Sequence, residues 1–198
     1  MRDMRTLRPN FIVGIGASAG GLNGFTALLD ALPSNTGMAF VLLLHIAPAA
    51  ESHLAEISSR HTKMLVLVAA HAMPIRANHV FVNPPNVDLS IENYTFKVVT
   101  PRTRRNVLID GFLTSLAEAM GARAIGIILS GYDGDGTKGC KRIKAKGGTT
   151  FAQDMSAEVP EMPLHAQAAG CIDFVLPPDK ISDYLQRLAR TSKGKRIE

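Results

Sequence analysis

The stretch GIGASAGG, Gly14 to Gly21, admits two readings that exclude each other. Gly14, Gly16 and Gly20 could form a glycine-rich loop that cradles a nucleotide phosphate. Alternatively, Gly16-Ala-Ser18-Ala-Gly20 is a G-x-S-x-G, the frame that exposes a nucleophilic serine on a strand-to-helix turn.

The flanking sequence supplies that strand and that helix. Phe11 to Gly16 is an apolar, β-like run ending in glycine, the pattern of a buried strand. Leu22, Phe25, Leu28, Leu29 and Leu32 follow helical spacing up to Pro33. MAFVLLLHI predicts a second buried strand that ends near His45. SHLAEISSR predicts an exposed helix and KMLVLVAA a third strand.

The middle has a different texture. NHVFVNPP, VDLSIEN and YTFKVV are short alternating segments joined by Asn and Pro turns. Alternation around Glu92-Asn93 predicts an antiparallel hairpin. A helix from about Val107 to Met120 then leads into the buried strand AIGIIL. GTKGCKRIKAKGG predicts an amphipathic helix closed by glycines. TTFAQD, a helix after Pro163, CIDFVL and a helix from Pro178 to Arg190 follow. Strands alternating with helices predict an α/β fold: a doubly wound, mostly parallel sheet with helices on both faces and an inserted antiparallel hairpin. The expected organisation is a disordered leader over 1–10, one catalytic domain over 11–190 and a basic tail over 191–198.

Spacing weighs against the phosphate loop. The glycines read G-x-G-x-x-x-G, no acidic residue closes the second strand to hold a ribose, and no G-K-[ST] follows. The serine reading makes a demand. A hydroxyl is a poor nucleophile until a base takes its proton, and the base needs an orienting group. In a parallel sheet such partners converge at the carboxyl ends of strands. His45 lies there, after FVLLLH, as do Asp133 and Asp135 in LSGYDGDG. Each feature alone is weak. A G-x-S-x-G arises by chance, a strand-end histidine is often structural, and DGDG could be a turn. It lacks the further ligands of an EF-hand. The order Ser, His, Asp differs from that of the α/β-hydrolases.

Composition narrows the setting. The chain of 198 residues carries a net charge of +5, which favours an acidic partner. Part of that charge is local, in Arg102, Arg104 and Arg105 and in Lys193, Lys195 and Arg196. Solvated loops would explain it equally. No aromatic residues interleave these clusters, so nucleic acid is not an expected partner. No apolar run reaches the ~18 residues of a membrane span, and the basic start lacks the apolar core of a signal peptide. Cys140 and Cys171 read as reduced thiols in a cytoplasmic protein.

These residues carry a resemblance. IGASAGG, HIAP, ILSGYDGDGTKG and GGTTFAQD resemble, in order and spacing, the catalytic domain of the chemotaxis-receptor protein-glutamate methylesterases (CheB-type). PPNVDLSIEN and LIDGFLTSLAEAMGARAIG resemble the variety fused to receptor methyltransferases. The resemblance covers about Phe11 to Leu188. It implies a serine hydrolase that removes methyl esters from receptor glutamates, with deamidation of glutamines in some members. It places the nucleophile on Ser18, the base on His45 and the orienting acid on Asp135. The oxyanion hole falls on the backbone N–H groups of Ala19 and Tyr132. No metal or organic cofactor is implied. The implied partners are methylated chemoreceptor helices, with a methyltransferase or receiver domain in cis or trans. Tyr132 replaces a small residue or Met, and EMPLHA stands where the family reads G-M-P-R-x-A. NVLID stands where an arginine- and proline-containing segment is common. The rival functions are a non-catalytic interaction module and a small-molecule ester or amide hydrolase.

Overall fold

The computed structural model describes residues 8–47, 49 and 52–194. Its centre is a seven-stranded parallel sheet. The strands are β1 (Ile12–Ala17), β2 (Ala39–Leu44), β3 (Leu65–Val68), β4 (His79–Val82), β7 (Ala124–Ile128), β8 (Thr149–Gln153) and β9 (Phe174–Leu176). Their order is β3-β4-β2-β1-β7-β8-β9, and β5 (Asp88–Glu92) and β6 (Thr95–Val99) form a separate antiparallel hairpin. The helices are α1 (Gly21–Asp30), α2 (Leu54–Ser59), α3 (Leu108–Met120), α4 (Thr137–Ala145), α5 (Glu161–Ala168) and α6 (Pro178–Gly194). The chain winds from β1 through β2 to one edge, then resumes at β7 on the other side of β1. The switch point therefore lies between β1 and β7, where ligand sites of doubly wound sheets form.

Alternation along each strand divides the core in two. Ala39, Val41 and Leu43 of β2 join α3, α4, α5 and the hairpin on one face. Phe40 and Leu42 join α1, α2 and α6 on the other. In β1, Val13, Ile15 and Ala17 face the second layer, while Gly14 and Gly16 fall on the first. Their glycines have a packing cause. A Cβ on Gly14 would lie 2.5 Å from Leu113 Cδ2, and one on Gly16 2.4 Å from Ile109 Cγ2. Both positions belong to a strand against which α3 is pressed, and neither is part of a phosphate loop.

Several local expectations are corrected. NHVFVNPP, read as a short alternating segment, supplies a central strand: β4 enters the parallel sheet between β3 and β2. Val80, Phe81 and Val82 are buried there, because both faces of this strand are covered. KMLVLVAA forms the sheet edge, and Leu65 and Val68 are exposed. The hairpin turn is Asn93-Tyr94, with φ of 50° and 62°, one residue later than expected. Helix α5 begins at Glu161, ahead of Pro163, since a proline in the first turn removes an N–H that has no intrahelical partner. Helix α6 continues past Arg190 to Gly194.

At the amino end, residues 1–7 of the expected leader lie outside the described residues. Asn10 N–H already bonds to Gly37 O at 2.9 Å, and the Arg8 guanidinium lies over the Tyr94 ring. Of the expected basic tail, 195–198 lie outside the described residues. Cys140 and Cys171 are free and buried.

Candidate active site

Strand register brings the sequence candidates to one edge. Ala17 of β1 pairs with Leu44 of β2, so Ser18 and His45 are each one residue beyond the same row. On the other side of β1, Leu129 N–H donates to Gly16 O and Ser18 N–H to Ser130 O, both at 2.9 Å. The ladder thus runs past the strand ends and fixes the serine turn between the β2 and β7 loops.

Gly20 and Gly21 let that turn close. Gly20 has φ of 69°, and a Cβ there would come within 2.8 Å of both Ser130 Oγ and Glu158 Cβ. A Cβ on Gly21 would meet that of Ala17 at 2.4 Å. Helix α1 starts directly after Gly20, so Ser18 stands at the strand-to-helix corner. The opening stretch is therefore two packing glycines, a serine on a turn, and two glycines that permit the turn.

His45 is largely buried and held between two carboxylates. Its Nε2 is 2.7 Å from Asp135 Oδ2, and its Nδ1 is 3.5 Å from Asp133 Oδ2. Asp135 is buried, whereas the Asp133 side chain is partly exposed. Burial by itself would lower the pKa of His45. The hydrogen bond that the ring donates to Asp135 and the charges of Asp133 and Asp135 outweigh it, so the pKa is raised above 6.5, with Arg102 opposing.

Among the described residues the Ser18 hydroxyl makes no hydrogen bond to His45; Asp133 is the group beside Nδ1. The structure therefore brings His45 and Asp135 into direct contact and places Ser18 at the neighbouring strand end. Neither the Ala19 nor the Tyr132 N–H donates a hydrogen bond among the described residues. The Tyr132 side chain is 66% exposed at the rim. Among the described residues no group of three or more His, Cys, Asp or Glu is arranged to hold a metal ion.

Three supporting residues were not among the sequence candidates. Ser130, buried after β7, donates from Oγ to Ala19 O at 2.7 Å and accepts from Val159 N–H at 2.9 Å. It ties the Ala19 carbonyl, one peptide beyond the Ser18–Ala19 bond, to the loop before α5. Asn83, buried after β4, accepts from Leu44 N–H at 2.8 Å and donates to Leu44 O at 3.2 Å, clamping the residue before His45. Asp110, in the first turn of α3, accepts from Gly136 and Gly139 N–H, each at 2.9 Å. Burial pushes the Asp110 carboxyl above its ordinary range. The Asp135 charge adds to that, and the amides at the start of α4 oppose it. Ser130 and Asn83 carry the signal that singled out His45, a polar residue directly after a buried strand.

Known proteins share this architecture. The sequence profile of the CheB methylesterase family matches residues 13–185. A relative in Leptospira interrogans is 31% identical over 186 residues, 92% of this chain and 96% of its own length. A Burkholderia orbicola protein named protein-glutamate methylesterase/protein-glutamine glutaminase 3 is 35% identical over 189 residues, and this chain spans 55% of it. The crystal structure of the Thermotoga maritima CheB methylesterase catalytic domain superposes with a TM-score of 0.83 at 29% identity, covering 90% of this chain and 98% of that one. The match takes in the serine turn, the histidine after β2 and the aspartate loop after β7, and the chain belongs to the CheB methylesterase family.

Proposed function

We propose that the protein hydrolyses methyl esters on glutamate side chains of chemoreceptors, with Ser18 as nucleophile, His45 as base and Asp135 as the orienting acid. The observation that carries this reading is the His45–Asp135 contact of 2.7 Å, one strand away from a serine on a sharp glycine turn. Asp135 engages Nε2, so Nδ1 is the nitrogen left to receive the Ser18 proton. The hydroxyl then takes the place beside Nδ1 that Asp133 holds in the resting arrangement.

The chemistry runs in two halves. Ser18 Oγ attacks the ester carbonyl carbon as His45 takes its proton. The oxyanion is received by the Ala19 and Tyr132 N–H groups, donors typically worth ~3 kcal/mol each in the transition state. Collapse expels methanol, which takes the proton back from His45. Water, deprotonated by His45, attacks the acyl-enzyme and frees the carboxylate and Ser18. A glutamine amide would follow the same course with ammonia as leaving group. A cytoplasmic setting goes with such substrates, and no helix among the described residues is long and apolar enough to cross a membrane.

Methanol release from a methylated receptor fragment tests the assignment. Ser18→Ala is expected to lower it by on the order of 10⁴-fold or more while the thermal melt stays in place. Labelling of the wild-type chain, and not of the variant, by a fluorophosphonate is the matching expectation. A wild type that neither labels nor releases methanol would leave a non-catalytic interaction module instead.

A further inference from the structure

The two free cysteines meet at the buried face of α4, and ester hydrolysis makes no use of them. Cys140 stands on α4, with its N–H donating to Gly136 O at 2.9 Å. Cys171 lies just past α5, and its Sγ is 3.5 Å from Thr137 O and 3.1 Å from Ala166 O. Thr137 and Cys140 are three positions apart on α4 and so share a face, and Cys171 rests against that face. There the Cys140 thiol donates a hydrogen bond to the Cys171 sulfur. That contact makes the pair unequal. Donation from Cys140, with the charges of Lys141 and Lys144, lowers the Cys171 thiol to about 7 against the effect of burial. The same contact, with burial, pushes the Cys140 thiol well above its ordinary value.

A nucleophilic sulfur beside a resolving thiol is the arrangement of a peroxide sensor. Cys171 is buried, yet the residue before it, Gly170, is exposed, and nothing lies within 4 Å of where a Cβ on Gly170 would stand. A molecule as small as hydrogen peroxide has a single residue to pass. The Cys171 thiolate attacks a peroxide oxygen, the O–O bond breaks, and the leaving hydroxide takes a proton to become water. The Cys140 sulfur then attacks the sulfenic sulfur of Cys171, the S–O bond breaks, and the oxygen leaves with the Cys140 proton as a second water. Two thiols are oxidised to one disulfide and one peroxide is reduced to two waters. A disulfide is much shorter than a hydrogen-bonded pair of sulfurs, so its closure draws α4 toward the segment after α5. The start of α4 belongs to the candidate site. Gly139, next to Cys140, and Gly136 donate to Asp110, whose own N–H donates to Asp135, the acceptor of His45. We infer that Cys171 and Cys140 form a peroxide-responsive pair whose intramolecular disulfide shifts the start of α4 and with it the acceptor of His45. The inference goes beyond the esterase reading and rests on it only for the effect on turnover.

The test treats the wild-type chain with hydrogen peroxide, blocks the remaining thiols by alkylation and maps its peptides by mass. A linkage of Cys140 to Cys171 within one chain is expected. The amide resonances of Ile109, Asp110, Gly136 and Gly139 should shift on oxidation, and kcat for methanol release should fall by roughly tenfold, since small misplacements in a site are costly. Dithiothreitol should reverse all three changes, which separates them from oxidation of methionine. Cys140→Ala should stop at the sulfenic acid, captured on Cys171 by dimedone, and should keep its kcat under peroxide. Should that variant melt early, the peptide map of the wild type decides alone. A linkage between two chains, or sulfinic acid on Cys171 with no linkage, would overturn the pair. A linkage that leaves the four amides and kcat unmoved would overturn its hold on the site. Absence of methanol from the reduced chain would remove the esterase reading, and the peptide map and the amide shifts would still decide this inference.

Discussion

Asp135 and Asp110 cap each other's helices. Asp135, in the turn before α4, accepts from the N–H groups of Ile109 and Asp110 at the start of α3, at 3.0 and 2.8 Å. Asp110 returns the arrangement through Oδ1, which receives the N–H groups of Gly136 and Gly139 at the start of α4. A carboxylate suits the exposed amides of a helix start. The acceptor for His45 is thereby fixed by two helices at once.

That reciprocity makes Asp110 a positioning residue. Asp110→Ala leaves two amides without their acceptor, and a lost cap typically costs about 1–2 kcal/mol. Both the melting temperature and kcat are expected to fall, although Asp110 would touch no substrate. Asp110→Asn keeps an oxygen in the Oδ1 position and is expected to retain most of both. A melting temperature lowered by Asp110→Ala with kcat unchanged would separate the helix cap from the site.

Asp135 and Asp133 are expected to differ in kind. Asp135→Asn removes the charge on Nε2 of His45 and the acceptor geometry that goes with it. Loss of an orienting acid costs on the order of 10⁴-fold in kcat in serine hydrolases, with little change expected in KM. Asp133 is 3.5 Å from Nδ1 and partly exposed. Asp133→Asn should keep most of the rate, because Ser18 must displace that side chain in any case. Steady-state kinetics on both variants decides the matter; a crippled Asp133→Asn beside a near-silent Asp135→Asn would reverse the assignment.

Much of this was legible in the chain because strand ends are legible. An apolar run that stops at His45, at Ser18 or at Asp133-Gly-Asp135 declares where the backbone leaves the sheet, and parallel topology brings such points together. The supporting network was harder to see. Asp110 is an ordinary helix residue until α4 is packed against α3, and its partners are amides 26 and 29 positions away. The central place of β4 is not written in its sequence, because four residues do not separate a half-buried alternating strand from a fully covered one. The double occupation of His45 by carboxylates depends on side-chain placement within a single loop, which no spacing encodes.

Ser130 supplies a test of the serine turn. Its hydroxyl bridges Ala19 O and Val159 N–H, holding the residue whose N–H, in the preceding peptide group, is proposed to receive the oxyanion. Ser130→Ala leaves a half-buried carbonyl and a half-buried amide without their partner, a loss of about 1 kcal/mol in stability. It should also lower kcat by roughly tenfold through the displaced Ala19 N–H, with KM nearly unchanged. Methanol release and a denaturant titration on the same preparation measure both. A change in stability alone would mean that Ser130 acts only as a brace.

The pH dependence follows from the charges around His45. A base must be neutral to take the Ser18 proton, so kcat/KM is expected to rise with pH through the folded pKa of His45, which lies above 6.5. Stability should move the other way. The folded state favours the protonated ring, so this contribution is fully present below about 6.5 and is lost as pH rises through the raised value. Activity and the His45 share of stability therefore oppose each other across the same interval. The groups facing the ring set the position of that interval. Asp133→Asn removes a charge that raises the pKa and should move the acid limb of kcat/KM to lower pH. Arg102→Gln removes a charge that lowers it and should move the limb to higher pH. Profiles of kcat/KM and melting temperature from pH 5 to 9 on the three proteins measure these shifts. If both variants leave the limb in place, the group that titrates in the rate is not His45.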